Sequence, residues 1–289
     1  SAFVAPAVMA EVTVYGLMAP SVEYSKISDN GTNDLTRVRL VDNASRIGFK
    51  GTDKLDNGLK LFWQVENRVR VGNGDIAQEG FNSRETWVGL EGNFGKVFVG
   101  QTNDLIWQSR PDYMKGLDYF NETVDGIHKY TTAKEGRLPN IAQYESPKFL
   151  GGAQVKALYD FGKKVGGTSN YNVQGYQATA LYATKMFQVG ATYKQNNDST
   201  ETGDGGYSSP ANGNFLKTYI VGGTVTPIAG LDISALWTQW KTRVDATATE
   251  TKQAAFALGA NYATGKHAFG VHYGKRGDAK VNGASASET

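Results

Sequence analysis

The side chains of this chain that could do chemistry are charged rather than nucleophilic. Cysteine is absent from the 289 residues and histidine occurs 3 times, as His128, His267 and His272. The last two are an odd number of positions apart, so on a strand they point to opposite faces and cannot chelate one metal ion. No His-Glu-x-x-His, nucleophile elbow or P-loop occurs. The Gly203-Asp204-Gly205-Gly206 run is too weak a calcium signal to build on. No catalysis, metal or cofactor is expected. Lys and Arg number 30 against 28 Asp and Glu, a formal net charge of +2, so no basic excess calls for nucleic acid. What stands out is charge placement within the polar stretch 104–139. Its middle carries Asp112, Asp118, Glu122 and Asp125 against a single Lys115, and Lys129, Lys134 and Arg137 follow. Taken alone, such a run is a solvated loop.

The elements that must hold these charges read as strands. Glycine is 35 of 289 and proline only 7, against a usual glycine share of ~7%. No run reaches the ~18 apolar residues of a membrane helix, and the mean hydropathy is −0.41. Alternation is the dominant pattern. Val155, Ala157, Tyr159 and Phe161 oppose Gln154, Lys156 and Asp160; Phe187, Val189, Ala191 and Tyr193 oppose Gln188, Gly190, Thr192 and Lys194. Leu59, Leu61, Trp63 and Val65 oppose Lys60, Gln64, Glu66 and Arg68, and Phe256, Leu258, Ala260 and Tyr262 oppose Ala255, Ala257, Gly259 and Asn261. Successive strand side chains point to opposite faces, so each segment has one oily and one polar face.

Short turns at Asp56-Asn57-Gly58, Asn93-Phe94-Gly95, Gly151-Gly152, 227–230 and 264–266 alternate with long polar stretches at 28–36, 72–83, 104–139, 164–172, 197–213 and 244–251. Turns at one end and loops at the other make the pattern of an outer-membrane barrel. A soluble sandwich would need a second sheet over each oily face. Against it stand the charged, glycine-bearing polar faces, the absence of a composition break, and Tyr and Trp recurring near strand ends. The fold class expected is therefore all-β, an antiparallel transmembrane β-barrel.

About 13 strands are read, at 11–26, 37–51, 59–71, 83–94, 96–104, 140–148, 153–163, 171–185, 187–197, 214–227, 231–243, 251–264 and 266–277. Bacterial single-chain barrels have even counts, and the chain ends in the polar tail Gly277 to Thr289. Residues 1–10, SAFVAPAVMA, fit the tail of a secretory signal, with Val8-Met9-Ala10 as its small-residue cleavage pattern. The expectation is a signal remnant at 1–10 and a barrel domain over 11–289 that lacks its C-terminal strands and does not close.

Ser45-Arg46-Ile47-Gly48-Phe49-Lys50-Gly51, Asp56-Asn57-Gly58-Leu59-Lys60 and Trp63-Gln64-Val65-Glu66 resemble the second and third strands of Gram-negative general porins of the neisserial type. Val12-Thr13-Val14-Tyr15-Gly16, Trp87-Val88-Gly89-Leu90, Asn93-Phe94-Gly95-Lys96, Tyr144-Glu145-Ser146-Pro147 and Phe149-Leu150-Gly151-Gly152 match in the same order. The resemblance implies a 16-stranded trimeric barrel, with about three strands missing here. It also implies a third long loop folded into the lumen, which makes 104–139 the constriction loop. The partners implied are outer-membrane lipid, two further copies in a homotrimer, and the small hydrophilic solutes and ions that pass.

In that architecture Arg46, Lys50, Lys60 and Arg68 form a basic wall, and Asp112, Asp118, Glu122 and Asp125 an acidic one. Opposed charge walls set up a transverse field that governs ion selectivity. The chain departs from the family in having Gln101, Gln143 and Phe98 where bases are common, which thins the basic wall. The function expected is passive diffusion through an outer-membrane porin. The alternatives are a solute-specific channel with a binding site at the constriction, or an adhesin or structural barrel without transport.

Overall fold

The computed structural model describes residues 11–27, 35–42, 44–71, 84–113, 136–165, 171–197, 200–202, 206–208, 213–244, 247–282 and 284–285. Residues 1–10, expected to be a signal remnant, lie outside them. The chain forms two compact units, Ser1–Val88 and Gly89–Thr289.

The first unit contains β1 (Glu11–Leu17), β2 (Pro20–Ile27), β3 (Leu35–Asp42), β4 (Arg46–Lys54) and β5 (Lys60–Arg68), with β6 (Thr86–Gly92) beginning at its end. β4 pairs antiparallel with β1 and with β5, while β2 pairs with β3 alone. The single strands expected over 11–26 and 37–51 are thus each broken in two. Ser45 builds the break. It is fully buried; its hydroxyl accepts the Ala19 N–H at 2.9 Å and its N–H donates to Asp42 Oδ1 at 3.1 Å. Its carbonyl takes the Val69 N–H at 2.9 Å. Ala44 beside it adopts φ 60°, a left-handed conformation that ends a strand. Alternation keeps one phase through Val12, Val14, Val22 and Tyr24, but shifts from Val38 and Leu40 to Ile47 and Phe49 across the corner, a break in phase that the expected strand over 37–51 passed over.

The second unit contains β7 (Gly95–Asn103), α1 (Leu105–Tyr113), β8 (Arg137–Glu145), β9 (Ala153–Val165), β10 (Tyr171–Ala183), β11 (Phe187–Asn197), β12 (Thr200–Thr202), β13 (Gly206–Ser208), β14 (Phe215–Ile228), β15 (Leu231–Val244), β16 (Thr249–Thr264), β17 (His267–Arg276), β18 (Lys280–Val281) and β19 (Ala284–Ser285). Its sheet runs β7-β8-β9-β10-β11-β14-β15-β16 through antiparallel neighbours, and both β17 and β18 pair with β16. β12 and β13 form a small hairpin inside the expected loop 197–213. The strands from β5 onward agree with the expected ones to within a few residues at most ends. The expected turns are present: Asn57 and Gly58 between β4 and β5, and Gly230 between β14 and β15, take φ 59°, 77° and 85°.

The burial pattern of this sheet is the reverse of a water-soluble core. Val189, Val221, Trp237 and Leu258 are 45%, 48%, 42% and 51% exposed. The buried side is occupied by Thr179, Thr192, Lys194, Thr218 and Thr238. Cross-strand register links Val189 to Gly223, Gly223 to Ala235 and Ala235 to Leu258, so the exposed apolar side chains form one continuous band. A band of that kind belongs in lipid rather than water. Phe187, Val189, Tyr159 and Phe256 all lie on this face, as the alternation predicts, with Gln188, Lys156 and Lys194 on the other.

Candidate functional site

The long connection 104–139 begins not as a loop but as α1, and α1 lies on the polar face of the second unit's sheet. Its start is fixed by Asp104. Asp104 Oδ1 accepts the Trp107 N–H at 2.9 Å, the arrangement of an N-cap whose carboxylate also suits the positive end of the helix. Oδ2 accepts the Gly136 N–H at 3.1 Å, and the Asp104 N–H donates to the Gly136 carbonyl at 2.8 Å. Those two residues close the neck of the connection. Lys194 on β11 donates to Oδ2 at 2.8 Å, and both side chains of this ion pair are fully buried. Gln177 on β10 takes the Leu105 N–H at 2.7 Å. Three of the four N–H groups left without an intrahelical partner at the helix start, those of Asp104, Leu105 and Trp107, are thereby satisfied.

Apolar packing then seats the helix. Ile106 clusters with Leu181, Ile220, Leu236 and Ala257, inward-facing residues of β10, β14, β15 and β16. Leu105 is also fully buried. Each such side chain contributes about 1.5–3 kcal/mol. On its flank, Gln108 and Gln143 exchange amide hydrogen bonds, each 2.8 Å. Gln143 also donates to Glu145 Oε1 at 2.9 Å, and Gln108 to the Asn103 carbonyl at 2.6 Å.

This arrangement corrects the sequence reading in two respects. Gln143, expected to be a wall position lacking its base, is 1% exposed and tied to α1, so it holds the helix rather than lining a wet wall. Phe98, directly across from it, is likewise buried. Thr192, read on the polar face, does lie there and is buried with its hydroxyl 2.8 Å from that of Thr179. The side chain of Asp112, and Asp118, Glu122 and Asp125 entirely, lie outside the described residues.

The proposed basic wall belongs to the first unit. Arg46, Lys50, Lys60 and Arg68 share one face of the β4–β5 pair: Arg46 stands opposite Arg68, Lys50 opposite Gln64 and Lys54 opposite Lys60. Like charges placed directly across a sheet repel, and two carboxylates relieve them. Arg46 Nε lies 3.5 Å from Glu66 Oε2, and Arg68 Nε 3.4 Å from Asp42 Oδ2. Glu66, only 6% exposed, also receives Arg84 Nε on Oε1 and the Tyr15 hydroxyl at 2.9 Å. The Tyr15 ring lies flat over Gly48, where a Cβ would stand 2.3 Å from it. Lys50 Nζ sits 5.5 Å from the centre of that same ring. The half-exposed guanidinium groups are thus held in place while still reaching solvent. His267 and His272 lie on opposite faces of β17, across from Thr264 and Gly259.

Sequence reasoning missed Asp104, Gln177 and Gln108 altogether, and read Lys194 and Glu66 only as polar-face residues. For Asp104 a signal existed, an acidic residue immediately before Leu105-Ile106-Trp107-Gln108, where a helix cap belongs.

A family model described as Gram-negative porin matches residues 1–289. The major outer membrane protein P.IB of Neisseria meningitidis serogroup A is 33% identical over 208 residues, covering 66% of this chain and 56% of the relative. The chain therefore spans little more than half the length of that relative. Among solved structures, the anion-selective porin from Comamonas acidovorans superposes with a TM-score of 0.71 at 22% identity, covering 94% of this chain and 80% of that one. OmpF of Salmonella typhi gives 0.66 at 18% identity, covering 92% and 78%.

Proposed function

The chain belongs to the Gram-negative porin family, and from that premise we propose that it forms a passive outer-membrane channel for ions and small hydrophilic solutes. One observation carries the reading: α1 is clamped to the polar face of its sheet, while the opposite face exposes a continuous apolar band. With the band in lipid, α1 faces the water-filled interior, which supports the reading of 104–139 as the constriction loop. There it narrows an opening that would otherwise admit large solutes. The protein assembles as a homotrimer embedded in lipid and needs no cofactor. Arg46, Lys50, Lys60 and Arg68 supply the positive side of the constriction; Asp112, Asp118, Glu122 and Asp125 supply the negative side.

Planar-bilayer recording tests this. The protein should give ohmic single-channel steps, and deletion of 110–130 should raise conductance and admit larger sugars in liposome swelling. Unchanged conductance after the deletion would remove the loop from the pore. An absence of any steps would remove the channel itself.

A further inference from the structure

We propose that the polar wall on the turn side of α1 carries a binding site for zwitterionic solutes, amino acids and dipeptides. The site rests on the channel reading above and names a solute class for it. Four charged side chains of alternating sign stand there in one cross-strand row. Lys96 is opposite Glu145, and Glu145 is opposite Lys156. Glu91 stands on the other side of Lys96, its Oε2 3.9 Å from Nζ. All four belong to the second unit. With strands about 4.8 Å apart, the row spans about 14 Å. Lys96, Glu145 and Lys156 are each two residues from Phe98, Gln143 and Leu158, and so share the face on which α1 lies. Leu90, Val97 and Val155, next to them in sequence, are exposed on the apolar side.

The helix adjoins the row. Glu145 Oε1 accepts the Gln143 amide at 2.9 Å, and Gln143 exchanges hydrogen bonds with Gln108 of α1. A solute that clears α1 on its way to the turn end therefore comes up against these charges. Sheet stability does not account for them. None of the four is buried, exposed ion pairs contribute little to a fold, and the Glu91–Lys96 pair is long. The register sets a lysine on each side of Glu145, yet among the described residues its carboxylate bonds to the Gln143 amide and makes no ion pair.

Alternation decides what the row recognises. Rungs about 4.8 Å apart lie well within the screening length of about 8 Å at physiological salt. A simple ion beside them feels two positive and two negative charges together, and the pulls largely cancel. A solute carrying both an ammonium and a carboxylate instead sets each on the rung of opposite sign. One or two amino-acid residues span at most about 3.5–7 Å, a range that brackets the rung spacing. A neutral solute of the same size gains neither contact.

The test measures uptake of micromolar radiolabelled solutes into proteoliposomes holding the whole protein. Dialanine, a zwitterion, is compared with acetyl-alaninamide, which is neutral and smaller. Dialanine should enter about fivefold faster, the factor that two exposed charge contacts supply. Glu145→Gln keeps an oxygen for the Gln143 amide but removes the charge, and should abolish the preference. The fourfold exchange Glu91→Lys, Lys96→Glu, Glu145→Lys, Lys156→Glu inverts every sign while preserving alternation, and should keep it. Lys185→Gln, a lysine at another turn, should match the parent.

An unchanged preference in Glu145→Gln would overturn the site, as would its loss in a folded fourfold variant. Should the fourfold variant not refold, Lys156→Gln decides: a several-fold loss of dialanine preference supports the site and no change overturns it. Alaninamide, a simple cation, and acetyl-alaninate, a simple anion, should enter no faster than acetyl-alaninamide; either one matching dialanine would overturn recognition of the dipole. Single-channel recording separates the two readings. Normal steps with equal uptake of dialanine and acetyl-alaninamide would overturn the site alone, and an absence of steps would overturn the channel and the site with it.

Discussion

Asp104 and Lys194, 90 positions apart, form a fully buried ion pair of 2.8 Å that joins the start of α1 to β11. Removing one partner strands the other charge out of water. Asp104→Asn should therefore destabilise the second unit by about 3–5 kcal/mol, whereas Asp104→Asn with Lys194→Met should recover much of the loss. Urea unfolding in detergent or lipid measures both. Equal stability of the single variant and the parent would show that the pair carries no structural weight.

The same pair should hold the constriction. Asparagine keeps one acceptor oxygen, which can still cap Trp107, but turns an NH2 donor toward Lys194 and the Gly136 N–H, so the side-chain half of the neck is lost. Single-channel records of Asp104→Asn are expected to show added current noise and passage of larger neutral polymers, because the loop samples positions away from the wall.

Gln143→Arg separates two roles for one position. A free wall residue would simply shift the reversal potential toward anions. Gln143 is instead buried against Gln108, so the substitution should displace α1 and alter conductance as well. Gln108→Ala, which adds no charge, should produce the same conductance change. Opposite behaviour of the two variants would mean that the amide pair does not seat the helix.

On the first unit, Glu66 neutralises Arg46 and Arg84 at once. Glu66→Gln should move the reversal potential toward anions, and Arg46→Ser toward cations. Both shifts should shrink in 1 M salt, where the screening length falls to about 3 Å. Identical reversal potentials at low salt would place this cluster away from the ion path.

The orientation of the sheet is open to a direct test. Val189→Arg, in the middle of the exposed apolar band, should cost about 2–4 kcal/mol in lipid. Gln188→Arg, one residue away on the opposite face, should cost much less. Equal costs would mean that the wrong face has been assigned to lipid.

The sequence by itself determined the strands, their facing and their solvent. Phe187, Val189 and Tyr159 against Gln188, Lys194 and Lys156 carry that information locally, because a period of two is a property of the strand backbone. Glycine at tight turns and long polar connections between them were equally local. It also put Arg46 with Lys50, and Lys60 with Arg68, on one face of each strand, since even spacing along a strand does so; that the two pairs share a face rests on the β4–β5 register. Only the tertiary structure decided what those faces touch. Asp104 finds Lys194 and Gln177 across large sequence separations, and Gln143 becomes a helix anchor because α1 lies over it. The Ser45 corner that splits two strands depends on Ala19, Asp42 and Val69 arriving together. Hydrogen bonds of that kind are set by which backbone and side-chain groups the fold leaves unpaired and brings into reach. A residue's type and periodicity do not encode either.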